Sequence, residues 1–294
     1  MTLFKGSGVA LITPFENQKV NEPLFVALIE WHIKNQTKAL IIGGTTGESA
    51  TLSFEEKCRI YELAVKTANH SIPVIANTGT NNTAESILLS KAAEALGVDG
   101  LLLVTPYYNK PTQRGLYEHF KVIADSVTCP VILYNVPGRT SVNLAAKTTI
   151  ELSNIKNIIG VKEASGDLNQ VKEIINNTKD FQVFSGNDDL IYETLSLGGD
   201  GVISVVANIA PIETQEVCTL FETNKLAAKK AQKALDILND VLFIESNPVP
   251  VKTAFKHLGV DVGSPRLPLV EMELENITKL IVALNQFGLK EISL

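Results

Sequence analysis

Cysteine and histidine are both scarce: the 294 residues hold three cysteines and four histidines. Cys58, Cys129 and Cys218 are odd in number, widely scattered and form no CxxC pair, which argues against a disulfide framework or a thiolate metal site. His32, His70, His119 and His257 show no HxH or HxxxH spacing, so no metal is expected. His32 and His119 fall within helical patterns and read as surface or packed imidazoles. No apolar run approaches the roughly 20 residues needed to span a bilayer, so no membrane partner is expected. Residues 1–10 lack the basic-then-apolar layout of a signal peptide. A reducing cytoplasm is therefore the expected location, and the Asn81-Asn82-Thr83 sequon a chance match. Basic residues are outnumbered, 26 Lys+Arg against 32 Asp+Glu for a net charge of −6, and they are nowhere dense. That leaves no footing for nucleic-acid binding.

What is present is an ordinary globular composition, 45% hydrophobic and 20% charged. A short apolar run, a loop rich in Gly, Thr, Asn and Pro, and an amphipathic stretch recur along the chain. The runs are Gly8–Ile12, Ala39–Ile42, Pro73–Ala76, Gly100–Val104, Val131–Tyr134, Ile158–Val161, Gln182–Ser185 and Gly201–Ser204. They are continuous rather than alternating, as in parallel strands buried on both faces. The intervening segments carry helix punctuation. Pro23 follows Asn21 ahead of a face of Leu24, Leu28 and Trp31; Ser53 and Glu56 have capping-box spacing; Gly97 closes the segment opened by Thr83. Eight strand-then-helix units predict an α/β fold, a (β/α)8 TIM barrel.

After Ser204 the strand signal stops. Helical segments are predicted at Pro211–Glu222, Lys225–Ile244 and Pro250–His257, and a last one carries Leu274, Ile277, Ile281 and Leu284 as a stripe closed by Gly288. The expected organisation is a barrel over residues 1–224 carrying the active site, with a C-terminal helical appendage over 225–294 and no flexible linker.

In such a barrel the reacting groups lie at the C-terminal ends of the strands. Lys162 directly follows the apolar run Ile158–Val161, where a lysine has no packing reason to be. Burial disfavours a charged amine, and a neutral amine is what attack on a carbonyl requires; the alternative is a strand-end lysine reaching to solvent. Tyr134 ends its strand in the same way, as a proton donor and acceptor or as core packing with a satisfied hydroxyl. Arg139 lies in a Pro-Gly turn, and its fork suits a carboxylate unless it simply pairs with a surface acid. Gly44-Thr45-Thr46-Gly47 lets backbone N–H groups approach a carboxylate, or is merely a tight turn. It is neither a P-loop nor a dinucleotide fingerprint.

Taken together, GGTTGES at Gly43–Ser49, TPYYNKP at Thr105–Pro111, YNVPGRT at Tyr134–Thr140, GVKEASGD at Gly160–Asp167 and GGDGVIS at Gly198–Ser204 resemble the dihydrodipicolinate synthase/N-acetylneuraminate lyase family of class I aldolases. They run in the family's order, and the segment from Asn247 to Lys252 matches a further motif in its helical tail. The resemblance implies that Lys162 forms an imine with pyruvate, whose carboxylate rests on Thr45 and Thr46. Tyr134, Thr46 and Tyr108 match the family's proton-relay triad, with Tyr108 reaching in from a neighbouring subunit. Gly186 and the Ile203 carbonyl would line the imine pocket. Arg139 implies the synthase branch and would hold the carboxylate of aspartate semialdehyde, giving 4-hydroxy-tetrahydrodipicolinate on the route to lysine and diaminopimelate. No metal or organic cofactor is implied, and the small-molecule substrates would be served by a homodimer at least, possibly a homotetramer.

The alternatives are another pyruvate-releasing aldolase on the same scaffold, acting on N-acetylneuraminate or a 2-keto-3-deoxy-sugar acid, and a non-catalytic ligand-binding barrel. The chain departs from many bacterial relatives at the lysine-inhibition site. Ser49, Ala50, Asn81, Glu85 and Tyr107 match, but Phe54 and Lys57 stand where histidines are usual. A second cation beside the inhibitor's ammonium would repel it by about 1 kcal/mol or more, so weak or absent lysine feedback is expected.

Overall fold

The computed structural model describes residues 2–294; Met1, the first residue of the expected barrel segment, lies outside the described residues. The eight apolar runs become eight parallel strands: β1 (Gly6–Ala10), β2 (Ala39–Ile42), β3 (Val74–Asn77), β4 (Gly100–Val104), β5 (Val131–Asn135), β6 (Ile158–Glu163), β7 (Gln182–Ser185) and β8 (Gly201–Ser204). Each pairs with its neighbours in chain order, and β1 pairs with both β2 and β8, so the sheet closes into a barrel. Closure leaves the barrel itself without a sheet edge.

Four strands differ from the apolar pattern, β3 and β5 by a single residue and β1 and β6 by two. The first strand runs Gly6–Ala10 rather than Gly8–Ile12, although Leu11 and Ile12 are also buried. The backbone N–H of Ile12 is taken by the Asn208 side chain at 3.1 Å instead of the ladder. The sixth strand continues two residues past Val161, because Lys162 and Glu163 stay in register with Tyr134 and Asn135 on one side and with Phe184 and Ser185 on the other. The apolar run stops where the chemistry begins; the backbone ladder does not.

Helices cover the outside: α1 (Glu22–Lys34), α2 (Phe54–Ala68), α3 (Thr83–Ala95), α4 (Gln113–Ala124), α5 (Ala146–Leu152), α6 (Leu168–Asn177), α7 (Ile191–Leu197) and α8 (Pro211–Thr223). The helix signals act locally as expected. Asn21 accepts from the N–H of Leu24, Ser53 and Glu56 form both bonds of the capping box, and Gly97 adopts the left-handed φ of 85° after α3. His32 and His119 are packed inside, each bonded to a threonine hydroxyl through Nδ1, and burial pushes His32 down to about 3 and His119 to about 4.

The appendage is three helices, α9 (Lys225–Leu242), α10 (Val249–His257) and α11 (Leu274–Phe287). Gly288 closes α11 with a φ of 95°, but the predicted stripe is displaced: Leu274 is exposed, and burial centres on Leu280, Ala283 and Leu284. The appendage reaches the barrel mouth. Gln232 of α9 donates to the carbonyl of Asp188 after β7, at 2.9 Å. Lys252 of α10 forms a buried ion pair with Glu48 after β2, at 2.6 Å. Arg266, between α10 and α11, bonds Glu56 of α2 and stacks on Phe15. No described helix is long and apolar enough to cross a membrane.

Candidate active site

Side chains alternate along a strand, so consecutive residues at the end of β6 face opposite ways. Glu163 turns outward, where its carboxylate accepts from Asn135 at 3.0 Å and from Gln170 of α6 at 2.8 Å. Burial pushes the Glu163 carboxyl above the usual carboxylate range. Lys162 turns into the barrel and is 6% exposed. Its Nζ lies 4.4 Å from the centre of the Tyr134 ring, which stands directly opposite it on β5.

Both side chains open into a cavity of about 310 Å³ at the C-terminal ends of the strands. Thr45, Thr46, Arg139 and Gly186 also line it, together with Asp188, Asn239, Phe243 and Asn247. Thr46 is buried and Thr45 partly so. Their loop is braced from within, by Glu48 N–H to the Thr45 carbonyl at 3.1 Å and Thr13 Oγ1 to the Gly47 carbonyl at 2.7 Å. Arg139 sits in a single helical turn, Pro137–Thr140, and its Nη2 donates to the Asn247 carbonyl at 3.1 Å. Position 186 has no space for a side chain. A Cβ there would lie 2.5 Å from the Ala164 Cβ and 3.1 Å from the Lys162 Cε.

Of the residues singled out from sequence, the structure thus brings together Lys162, Tyr134, Thr45, Thr46, Arg139 and Gly186. It does not bring in Tyr108. The Ile203 side chain is buried in the packed barrel interior with Tyr134 and Phe184, and the contact expected of this residue is through its backbone carbonyl. Tyr108 stands apart from its own chain's cavity, 89% exposed, on a loop where its φ is 71°.

Sequence reading missed the cavity's other walls. Asp188 is buried and accepts from the Ser204 hydroxyl and from the N–H groups of Val205 (2.9 Å) and Val206 (3.3 Å). Burial pushes its carboxyl up, opposed by those donors and by the nearby charge of Lys162. Asn247, from the appendage, donates Nδ2–H to Thr46 Oγ1 at 2.9 Å. Its only signal was membership of a tail motif far from the strand ends.

A second cavity of about 460 Å³ adjoins the first, sharing Thr45, Val136, Arg139 and Asn247. Ser49, Ala50, Lys57, Glu85 and Tyr107 line it, whereas Phe54 does not. Lys57 is almost wholly buried, and desolvation lowers its pKa against the pull of Glu85. Among the described residues no group of three His, Cys, Asp or Glu side chains is placed to hold a metal ion.

This arrangement can hold a small keto acid by its carboxylate at the Thr45–Thr46 loop, present its carbonyl to an amine, and move protons through a tyrosine. The chain is 49% identical over 291 residues to the 4-hydroxy-tetrahydrodipicolinate synthase of Clostridium novyi, covering 98% of each. It superimposes with a TM-score of 0.95 on the dihydrodipicolinate synthase of Acinetobacter baumannii complexed with pyruvate, at 45% identity over 98% of this chain and 100% of that one. A monomeric dihydrodipicolinate synthase variant also matches at a TM-score of 0.95, with 40% identity over 98% of both chains. The model of the dihydrodipicolinate synthetase family matches residues 3–287, and the chain belongs to that family.

Proposed function

We propose that this chain is a Schiff-base-forming 4-hydroxy-tetrahydrodipicolinate synthase, condensing pyruvate with L-aspartate 4-semialdehyde in the cytoplasm. The observation that carries the reading is a buried amine, Lys162, facing a tyrosine at 4.4 Å in a cavity that also offers Thr45, Thr46 and Arg139. The neutral amine adds to the pyruvate carbonyl, and the carbinolamine hydroxyl takes up a proton and leaves as water, giving the protonated imine. A proton leaves the methyl carbon, and the enamine carbon attacks the aldehyde. The amine of the second substrate then displaces Lys162 from the imine carbon, closing the ring and freeing the lysine.

The roles are those the family's motifs imply, and the cavity lining supports those of Thr45, Thr46, Tyr134 and Arg139. The Thr45–Thr46 loop holds the pyruvate carboxylate, and Tyr134 carries protons between the imine and Thr46. Tyr108 of an adjoining subunit completes that relay in a homodimer. Arg139 takes the carboxylate of the semialdehyde through its planar fork, which favours the synthase over sugar-acid lyases. The chemistry is carried by the lysine and requires no cofactor.

The test is turnover with pyruvate and aspartate semialdehyde, coupled to a downstream reductase and followed by loss of NADPH. The enzyme should turn over and Lys162→Ala should not. No turnover by the folded wild-type oligomer would overturn the assignment and bring the sugar-acid lyases forward.

A further inference from the structure

Asp188 is 1% exposed on the wall of the cavity that Lys162 faces. Every group that touches its carboxyl oxygens donates. The N–H groups of Val205 and Val206 reach Oδ2 at 2.9 and 3.3 Å, and the Ser204 hydroxyl reaches Oδ1. Ser204 Oγ already accepts from the N–H of Ala207 at 2.8 Å, so its hydrogen is left to place, and the Asp188 oxygen is the acceptor in reach. A carboxyl met only by donors is held in its ionised form. Yet among the described residues no cation stands within ion-pair distance of it. A buried charge without a partner is costly, and this one is kept beside the place where imine formation makes a cation.

We propose that Asp188 is a positioning residue that acts on Lys162 as a fixed counter-charge and keeps the pyruvate imine protonated until the methyl proton has left. The inference rests on the Schiff-base reading of Lys162. The loop that carries Asp188 runs along the lysine: two residues earlier, a Cβ on Gly186 would stand 3.1 Å from Lys162 Cε. The charge of Lys162 is also the one that acts on the Asp188 carboxyl through space. A protonated imine draws electrons from the neighbouring methyl carbon far more strongly than a neutral one, so the step to the enamine depends on that charge. The other ionisable groups on this cavity wall do not supply it. Arg139 has the wrong sign, Asp189 is exposed and screened by water, and Tyr134 offers a phenol. Glu163 turns to the opposite face of β6. The appendage steadies the counter-charge, because Gln232 of α9 donates to the Asp188 carbonyl at 2.9 Å and accepts from the N–H of Tyr192 at 3.2 Å.

The test titrates the imine itself. With isotope-labelled lysine in the protein and pyruvate at saturation, nitrogen NMR separates the protonated imine from the neutral one. Asp188→Asn keeps the size of the side chain and its acceptor for Val205 and Val206 but removes the charge. The pH at which the imine loses its proton should fall by about one unit in this variant. Exchange of the pyruvate methyl hydrogens in D2O, measured above that pH, should fall about 10-fold with it. A role confined to holding the loop after β8 lowers stability and leaves the imine titration where it was. An unmoved titration in the folded variant overturns the proposal.

Should Asp188→Asn not fold, the wild-type enzyme decides, compared with the imine of pyruvate and a simple alkylamine in water. The enzyme's imine is expected to keep its proton to a pH at least about one unit higher; loss at the same pH or a lower one overturns the proposal. A wild-type protein that gives no borohydride-trapped adduct with pyruvate fails the Schiff-base reading itself. One whose imine forms, and titrates alike in wild type and variant, fails this inference alone.

Discussion

At the scale of single residues, the space around the reactive amine is set by what position 186 lacks. A methyl group there would collide with Ala164 and press on the Lys162 side chain, and a misplacement of about 1 Å near the reacting atoms costs on the order of 100-fold in rate. Gly186→Ala is therefore expected to lose about 100-fold or more in turnover while the barrel still assembles, checked by steady-state kinetics beside circular dichroism. Near-normal turnover would mean that the amine has freedom the packing denies it. Lys162 and Tyr134 were legible in the sequence because each stands where an apolar strand run ends, and Arg139 because it sits in the Pro-Gly turn just beyond one. Asp188 and Asn247 were not, because their importance comes from contacts that only folding creates. Asp188 meets Ser204 across 16 residues of chain and Asn247 meets Thr46 across 201. No local pattern marks such a pair.

At the scale of elements, the strands were readable because burial on both faces makes them continuous apolar runs, and the helices because their caps are local. Boundaries moved where the backbone's partner decided the matter: the Asn208 side chain ended β1 early, and two-sided pairing carried β6 through Lys162 and Glu163. Locally, Lys252 reads only as a cation within a short helical pattern, yet it is 3% exposed and ion-paired with Glu48. Its ammonium also lies 4.2 Å from the Phe15 ring, on which Arg266 stacks at 4.3 Å. Removing one partner of a buried pair leaves the other charge uncompensated. Lys252→Met should cost about 3–5 kcal/mol of stability, and adding Glu48→Gln should return part of that loss. Denaturant unfolding of the single and double variants measures both, and a single variant within 1 kcal/mol of wild type, roughly the worth of an exposed pair, would show the pair to be ornamental.

At the scale of the whole molecule, the cavity of one chain gathers Lys162, Tyr134, Thr45, Thr46, Arg139 and Gly186, whereas Tyr108 projects away at 89% exposure. If that tyrosine serves a neighbouring subunit, inactive chains should repair one another. Mixed oligomers of Tyr108→Phe and Lys162→Ala chains are expected to regain activity, because one interface then pairs an intact lysine with an intact tyrosine; equal inactivity of the mixture would rule out action in trans. The adjoining cavity speaks to feedback. Lys57 brings a buried basic side chain to a wall it shares with Glu85, and lysine is expected to inhibit weakly or not at all. An inhibition constant below about 1 mM, equivalent to more than roughly 4 kcal/mol of binding, would contradict this. Fold class was open to reading at this scale, since eight repeated units close in only a few ways. The grip of the appendage on the catalytic loops was not, because the tail reads as helices with no strand to cover.

The assigned chemistry turns on the amine of Lys162. The most direct measurement is to incubate the protein with pyruvate, reduce with borohydride, and locate the added mass by peptide mapping. A single pyruvate adduct per chain, on the peptide containing Lys162 and absent from Lys162→Ala, is the predicted result. An unmodified Lys162 in protein that nonetheless turns over, or an adduct on another lysine, would contradict the account.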